Sequence, residues 1–217
     1  MNQVQTSTPK AVANVRTFSA NPRVQGAGVA IFGQATASMV GSTVGKSDMF
    51  YRPDIFMLAN AAGSIKAAID DWRYWRKLKT DGHRGAARVA GLAVVLDVLN
   101  IIPSSHPFLR TISGRANDTK YWGACISASI VILFYSNKLV AFARELELQD
   151  KYRENSISPQ EKQEFAAIIA NQFVGLNLKM ERLVARGKEN SRKGQKMAFE
   201  IKVNSELLDS LTFPVPG

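Results

Sequence analysis

One uncharged apolar run near the middle of the chain constrains it most: YWGACISASIVILFYSN at 121–137, extended through Lys138 by five more apolar residues. As a helix, 121–143 reaches about 34 Å, enough to cross a hydrocarbon core of about 30 Å. Nine strongly apolar residues stand in it: Ile126, Ile130, Val131, Ile132, Leu133, Phe134, Leu139, Val140 and Phe142. At roughly −0.3 to −0.6 kcal/mol each near the bilayer centre, they sum to about −3 to −5 kcal/mol in favour of insertion. Lys138 is compatible with a span if its stem snorkels to the nearer surface. Tyr121 and Trp122 stand where an aromatic belt would lie. Residues Tyr121, Trp122, Ile126, Ile130, Leu133, Phe134, Leu139 and Phe142 are therefore the candidate membrane-spanning set. Gly123 with Ser127, and Ala124 with Ala128, put small residues four apart, which predicts a face for a closely packed second helix. Within this run Cys125 acts as a small apolar group.

The nearest apolar neighbour in sequence is 89–102, fourteen residues or about 21 Å of helix, shorter than a hydrocarbon core. Asp97 lies in its middle, and a lone carboxylate at mid-bilayer costs on the order of 2.5–3.5 kcal/mol. Asp97 must then face another helix or carry a proton. Pro103 and Pro107 are expected to end the segment. The two runs suggest a helical hairpin.

Around them the chain is amphipathic. In 54–79, Ile55, Leu58, Ala62, Ile65, Ile69 and Trp72 fall at steps of three and four, which predicts a helix with one apolar face, started by Pro53 and Asp54. Its end turns basic and aromatic, and Trp72, Arg73, Trp75, Arg76, Lys77, Lys79, Arg84 and Arg88 form a candidate surface for anionic headgroups or another anionic partner. Asp81-Gly82 breaks this helix. A second amphipathic helix starts at Ser158, with Pro159 at its first position and Glu161 at its third, and ends at Gly187. Phe165, Ile169, Phe173, Leu176, Met180 and Leu183 line one face of it, which must be covered by another helix or a partner.

The remaining segments are less patterned. Residues 1–23 are polar and predict a flexible arm. Residues 24–53 open with an uncharged Gly/Ser-rich stretch suited equally to close helix contact in lipid or to a soluble loop. After a basic linker at 187–196, helix is preferred over strand, and the last six residues, TFPVPG, are extended. The domain plan is thus 1–23, 24–53, 54–157 with the hydrophobic hairpin 89–102 and 121–143, and 158–217.

Composition limits the number of spans. Mean hydropathy is −0.10, well below that of a chain made mostly of membrane helices, so one or two spans with large water-facing parts are expected. The net charge of +10 favours anionic partners. The single cysteine excludes an intrachain disulfide. No charged stretch followed by an apolar one opens the chain, so no cleavable signal is expected.

Motifs for chemistry are missing from the sequence. VGSTVGKS at 40–47 resembles a phosphate-binding loop, but the position that needs the first glycine holds Val40. The two histidines, His83 and His106, have no zinc-like spacing with the one cysteine. Asp70 and Asp71 are adjacent and so do not share a helix face. Asn117-Asp118-Thr119 is a glycosylation triplet, relevant only in a secretory lumen. No catalytic residue, cofactor or metal is expected.

The fold class expected is mainly α: a membrane-associated helical protein with one or two hydrophobic spans and amphipathic helices on the water-facing side. The function expected is that of a non-enzymatic, membrane-embedded structural or assembly subunit of a larger complex, with the bilayer and other protein subunits as partners. Basic residues number six in 72–88 and four in 138–155 against three in 103–120, which places both flanks of the hairpin on the cytoplasmic side. One alternative is a soluble protein that inserts into membranes, such as a pore-former, translocator or phage-delivered protein. Another is a soluble helical module that binds nucleic acid through the basic ridge at 73–88.

Overall fold

The computed structural model describes residues 21–45, 53–114 and 119–212. Among them are six helices and no strand: α1 Pro22–Thr43, α2 Pro53–Thr80, α3 Arg84–Ile112, α4 Thr119–Arg153, α5 Pro159–Val184 and α6 Arg192–Thr212. Most of the expected arm, the glycosylation triplet's Asn117 and Asp118, and the last five residues lie outside the described residues. The chain divides into two compact units, Met1–Ala143 and Arg144–Gly217, and α4 runs through the boundary.

The first unit holds α1, α2, α3 and the first part of α4. α1 begins where the arm was expected to end. Asn21 caps it by accepting the Arg23 amide at 3.0 Å, and Pro22 takes the first position. Arg23 is buried, so it belongs to the bundle and not to the arm. The glycine-rich stretch is therefore a helix, and its glycines explain how it packs. A Cβ on Gly63 of α2 would sit 2.6 Å from the Pro22 carbonyl oxygen and 3.0 Å from the Gly26 Cα. α1 and α2 thus cross backbone against backbone, as small residues permit.

α2 and α3 form a tight antiparallel hairpin. Gly82 takes φ +87°, and the His83 amide returns to the Leu78 carbonyl at 3.0 Å. Trp75 of α2 lies against α3 at Gly91, where a Cβ would approach its indole nitrogen to 3.3 Å. α3 corrects the expected boundary. It continues through Pro103 and Pro107 to Ile112. Pro103 and Pro107 withhold the amides that would meet the Leu99 and Pro103 carbonyls, while the Ser105 and Thr111 hydroxyls add bonds to the Ile101 and Pro107 carbonyls of the same stretch; prolines are tolerated inside a helix where neighbouring helices pack it. The fourteen-residue leg becomes a 29-residue helix. α3 and the stretch Lys120–Arg153 are both long and apolar enough to cross a membrane.

The second unit comprises residues 144–153 of α4 with α5 and α6. The Ser158 side chain accepts from the Glu161 amide while the Glu161 carboxylate accepts from the Ser158 amide, so both halves of the expected capping box are present. Leu148, Phe165, Ile169 and Leu211 form the core, with Tyr152, Leu207 and Leu208 packed on it. The apolar face of α5 is therefore covered at Phe165 and Ile169 by the chain's own helices. Phe173, Leu176, Met180 and Leu183 are half-buried. The preferred helix near the C-terminus is present as α6. It starts at Arg192, inside the expected linker, because Ser191 accepts the Gly194 amide at 3.2 Å as a cap.

Candidate functional site

In the first unit the usual distribution of polarity is inverted. α2 buries Met57, Asn60, Ala61, Ser64, Ala67, Ala68 and Asp71. Its expected apolar face points outward, with Ile55, Ile65, Ile69 and Trp72 each 44–46% exposed. α3 buries Ala86, Ala87, Ala90, Ala93, Asp97, Asn100, Ser104 and Pro107, and exposes Leu92, Val95, Val98, Leu99 and Ile102. α4 buries Trp122, Cys125, Ser129, Leu133 and Ser136, and exposes Ile126, Ile130, Val131, Phe134, Tyr135 and Phe142. The small-residue face expected to receive a second helix is thus not the packed one, since Gly123, Ala124, Ser127 and Ala128 are exposed. Among the described residues of this unit, 23 large hydrophobic side chains are exposed, whereas only Met57, Leu78, Trp122 and Leu133 are buried ones. Water would penalise that surface by roughly 25 cal/mol per Å², whereas hydrocarbon would not.

Most of the buried polar side chains form a seam of two hydrogen-bonded clusters. At one level Arg23 of α1 donates through Nε to Asp97 Oδ1 at 2.7 Å and through a terminal nitrogen to Asp97 Oδ2 at 2.6 Å. The same terminal nitrogen pairs with Asp71 of α2. Ser136 of α4 donates to Asp97 Oδ1 at 2.7 Å, and Asn137 accepts from Asn21 at 2.8 Å. Asp97 is fully buried and meets another helix, as its position in the sequence requires. About one turn further along α3 lies a second, uncharged cluster. Asn100 donates to Ser64 at 2.7 Å, Ser129 donates to Asn100 at 2.7 Å, and Asn60 donates to Ser104 at 2.8 Å and to Ser129 at 2.5 Å. Each of these side chains would be expensive to bury alone, and each has at least one partner on a neighbouring helix.

Charged and aromatic groups mark both ends of the unit. At one end Arg76 stacks 5.1 Å over Trp72 and Lys79 5.5 Å over Trp75, and Arg73, Lys77, Arg84 and Arg88 are exposed beside them. Lys138 reaches back to 4.3 Å from the Phe134 ring. At the other end Arg110 stacks 4.5 Å over Tyr121, whose hydroxyl bonds His106. Arg88 to Arg110 along α3 is about 33 Å, and Tyr121 to Lys138 along α4 is about 26 Å. Those intervals bracket a hydrocarbon thickness of about 30 Å.

Periodicity located the helices of this site but not their orientation, and Arg23, Asn60, Ser64, Asn100 and Ser129 carried no sequence signal as a group. The available clue was confined to α3, where Asp97, Asn100 and Ser104 follow at steps of three and four. The second unit has its own ionic network. Fully buried Glu147 pairs with Arg144 at 2.7 Å and Lys151 at 2.8 Å, and Lys151 reaches Glu161 at 2.6 Å. That bond to Lys151, with those from Ser158, holds the Glu161 carboxyl down at about 2. Among the described residues no group of three or more His, Cys, Asp or Glu is placed to hold a metal ion. Comparison with protein-family models, with curated proteins and with solved structures gives no match.

Proposed function

We propose that the chain is a non-enzymatic, membrane-embedded structural or assembly subunit whose first unit sits in the bilayer. The observation that carries this reading is the inversion of polarity, with an apolar exterior around a hydrogen-bonded polar seam. Lipid solvates the outward Ile, Leu, Val and Phe side chains, while the inward Asp, Asn and Ser groups specify which helices pair and in what register. The basic ridge with Trp72 and Trp75 lies at anionic headgroups, and both flanks of the α3–α4 hairpin face the cytoplasm, following the basic excess on those flanks. The second unit is the water-facing docking part. Val174, Leu178, Phe199 and Val203 are exposed on it and offer other subunits a surface.

The test is alkaline carbonate extraction of membranes containing the full chain, combined with accessibility mapping of single cysteines at 114 and 186 in a Cys125→Ser background. Retention in the pellet, with the two positions labelled from opposite sides, is expected. Release into the supernatant rejects the membrane reading. Labelling of both positions from one side rejects the hairpin.

A further inference from the structure

A groove of about 320 Å³ opens on the side of the first unit between α1, α2 and α4. Its volume is at the lower end of the range for small-molecule sites. Ala27, Ala30 and Ile31 of α1 face Ile126, Ile130 and Leu133 of α4 across it, and Gln34, Asn60 and Ser129 add polar groups to the wall. Two of those groups are incomplete. Asn60 is 3% exposed, spends its amide hydrogens on Ser104 and Ser129, and leaves Oδ1 shielded with no donor. Gln34 donates to Ser38 at 2.8 Å and leaves Oε1 in the same state. Among the described residues of the seam, Asn60 Oδ1 is the one buried side-chain atom without a partner, and Gln34 adds a second orphaned acceptor on the same apolar groove.

We propose that this groove binds a small apolar molecule that carries a hydrogen-bond donor, of the alcohol class, taken up from the hydrocarbon phase. The proposal rests on the membrane reading above. Both orphaned atoms are acceptors, so the complement is a donor. An alkane, ether or ester supplies none. A cation is disfavoured because no carboxylate lines the groove and a desolvated charge would go unpaired. A helix of a second subunit, about 10–12 Å across, needs more room than the groove's volume of about 320 Å³ offers. A hydroxyl on a small alkyl body suits the groove's volume and apolar lining, and in hydrocarbon no competing solvent satisfies either partner.

The full chain is reconstituted in phosphatidylcholine vesicles and photolabelled with 3-azioctanol, and the labelled peptides are mapped by mass spectrometry. Saturable labelling within 27–35 and 126–133 is expected, displaced by 1-octanol at a membrane concentration about tenfold below that needed for octane. Ala30→Phe, which fills the groove, should reduce incorporation at least fivefold, and Gln34→Leu should narrow the gap between octanol and octane. Labelling that does not saturate, or octane competing as well as octanol, overturns the proposal. The wild-type comparison needs no variant, so it stands if Ala30→Phe misfolds. Carbonate extraction of the same vesicles separates the two claims: a protein released at alkaline pH that still shows octanol-selective labelling refutes the membrane reading and supports the groove.

Discussion

Arg23→Met leaves Asp71 and Asp97 facing each other without the guanidinium that now bonds both. Asp97 keeps Ser136, at 2.7 Å, but Asp71 loses the ion pair. Removing one partner from a buried ionic group costs about 3–5 kcal/mol, because the remaining charge has no compensation. Arg23→Lys retains the charge but cannot hold Asp97 through two nitrogens while bonding Asp71, so it should fall between. The triple variant Arg23→Met, Asp71→Leu, Asp97→Leu removes all the charges together and should return to wild-type stability or exceed it by about 1–4 kcal/mol. Ser136 then falls back on the Ala93 carbonyl, already 3.3 Å away. Trp72, Trp75 and Trp122, the chain's three tryptophans, all lie in the first unit, so their fluorescence during unfolding in mixed micelles reports on it. A loss below about 1 kcal/mol for Arg23→Met would refute the reasoning. So would a triple variant as unstable as the single one.

Two further perturbations follow from the packing and from the second unit. Gly63→Leu drives a side chain into the Pro22 carbonyl and should cost about 1–3 kcal/mol or separate α1 from α2, whereas Gly123→Ala meets nothing within 4 Å and should be neutral or stabilising; the same unfolding titration distinguishes them. Glu161 is held near 2 against an ordinary value of 4.5, so it contributes stability that is present above about pH 4.5 and lost as pH falls toward 2. The protection factors of the first-turn amides of α5, taken relative to intrinsic exchange at each pH, should fall across that window, and Glu161→Gln should flatten the dependence; identical profiles would remove Glu161 as the cause.

Much of the helical plan was legible in the sequence because its signals are local. Ser158, Pro159 and Glu161 mark the start of α5 within four residues, and the apolar run at 121–137 marks α4 by length alone. Direction was not legible. A period of 3.6 residues shows that Ile55, Ile65 and Ile69 share a face of α2, but whether that face meets protein or lipid depends on the surrounding medium. The same ambiguity made the small-residue face of α4 the expected contact, when the packed face is Cys125, Ser129 and Ser136. Pro103 and Pro107 looked like stops because a solitary helix in water pays for each missing amide, whereas a packed neighbour removes that constraint. Arg23 was beyond reach for a different reason. Its partners are 48 and 74 residues away, and no local pattern encodes a pairing at that separation.

The central claim is that the apolar exterior of the first unit faces hydrocarbon. The most direct test places spin labels one at a time at Val98, Ile102, Ile130 and Phe134 in a Cys125→Ser background and compares relaxation by oxygen with relaxation by a water-soluble nickel chelate in vesicles. All four side chains are exposed and lie between the two charged ends. The account predicts high oxygen and low nickel accessibility at each, with the reverse at exposed Lys202 in α6. Nickel accessibility at Ile130 and Phe134 equal to that at Lys202 would contradict it.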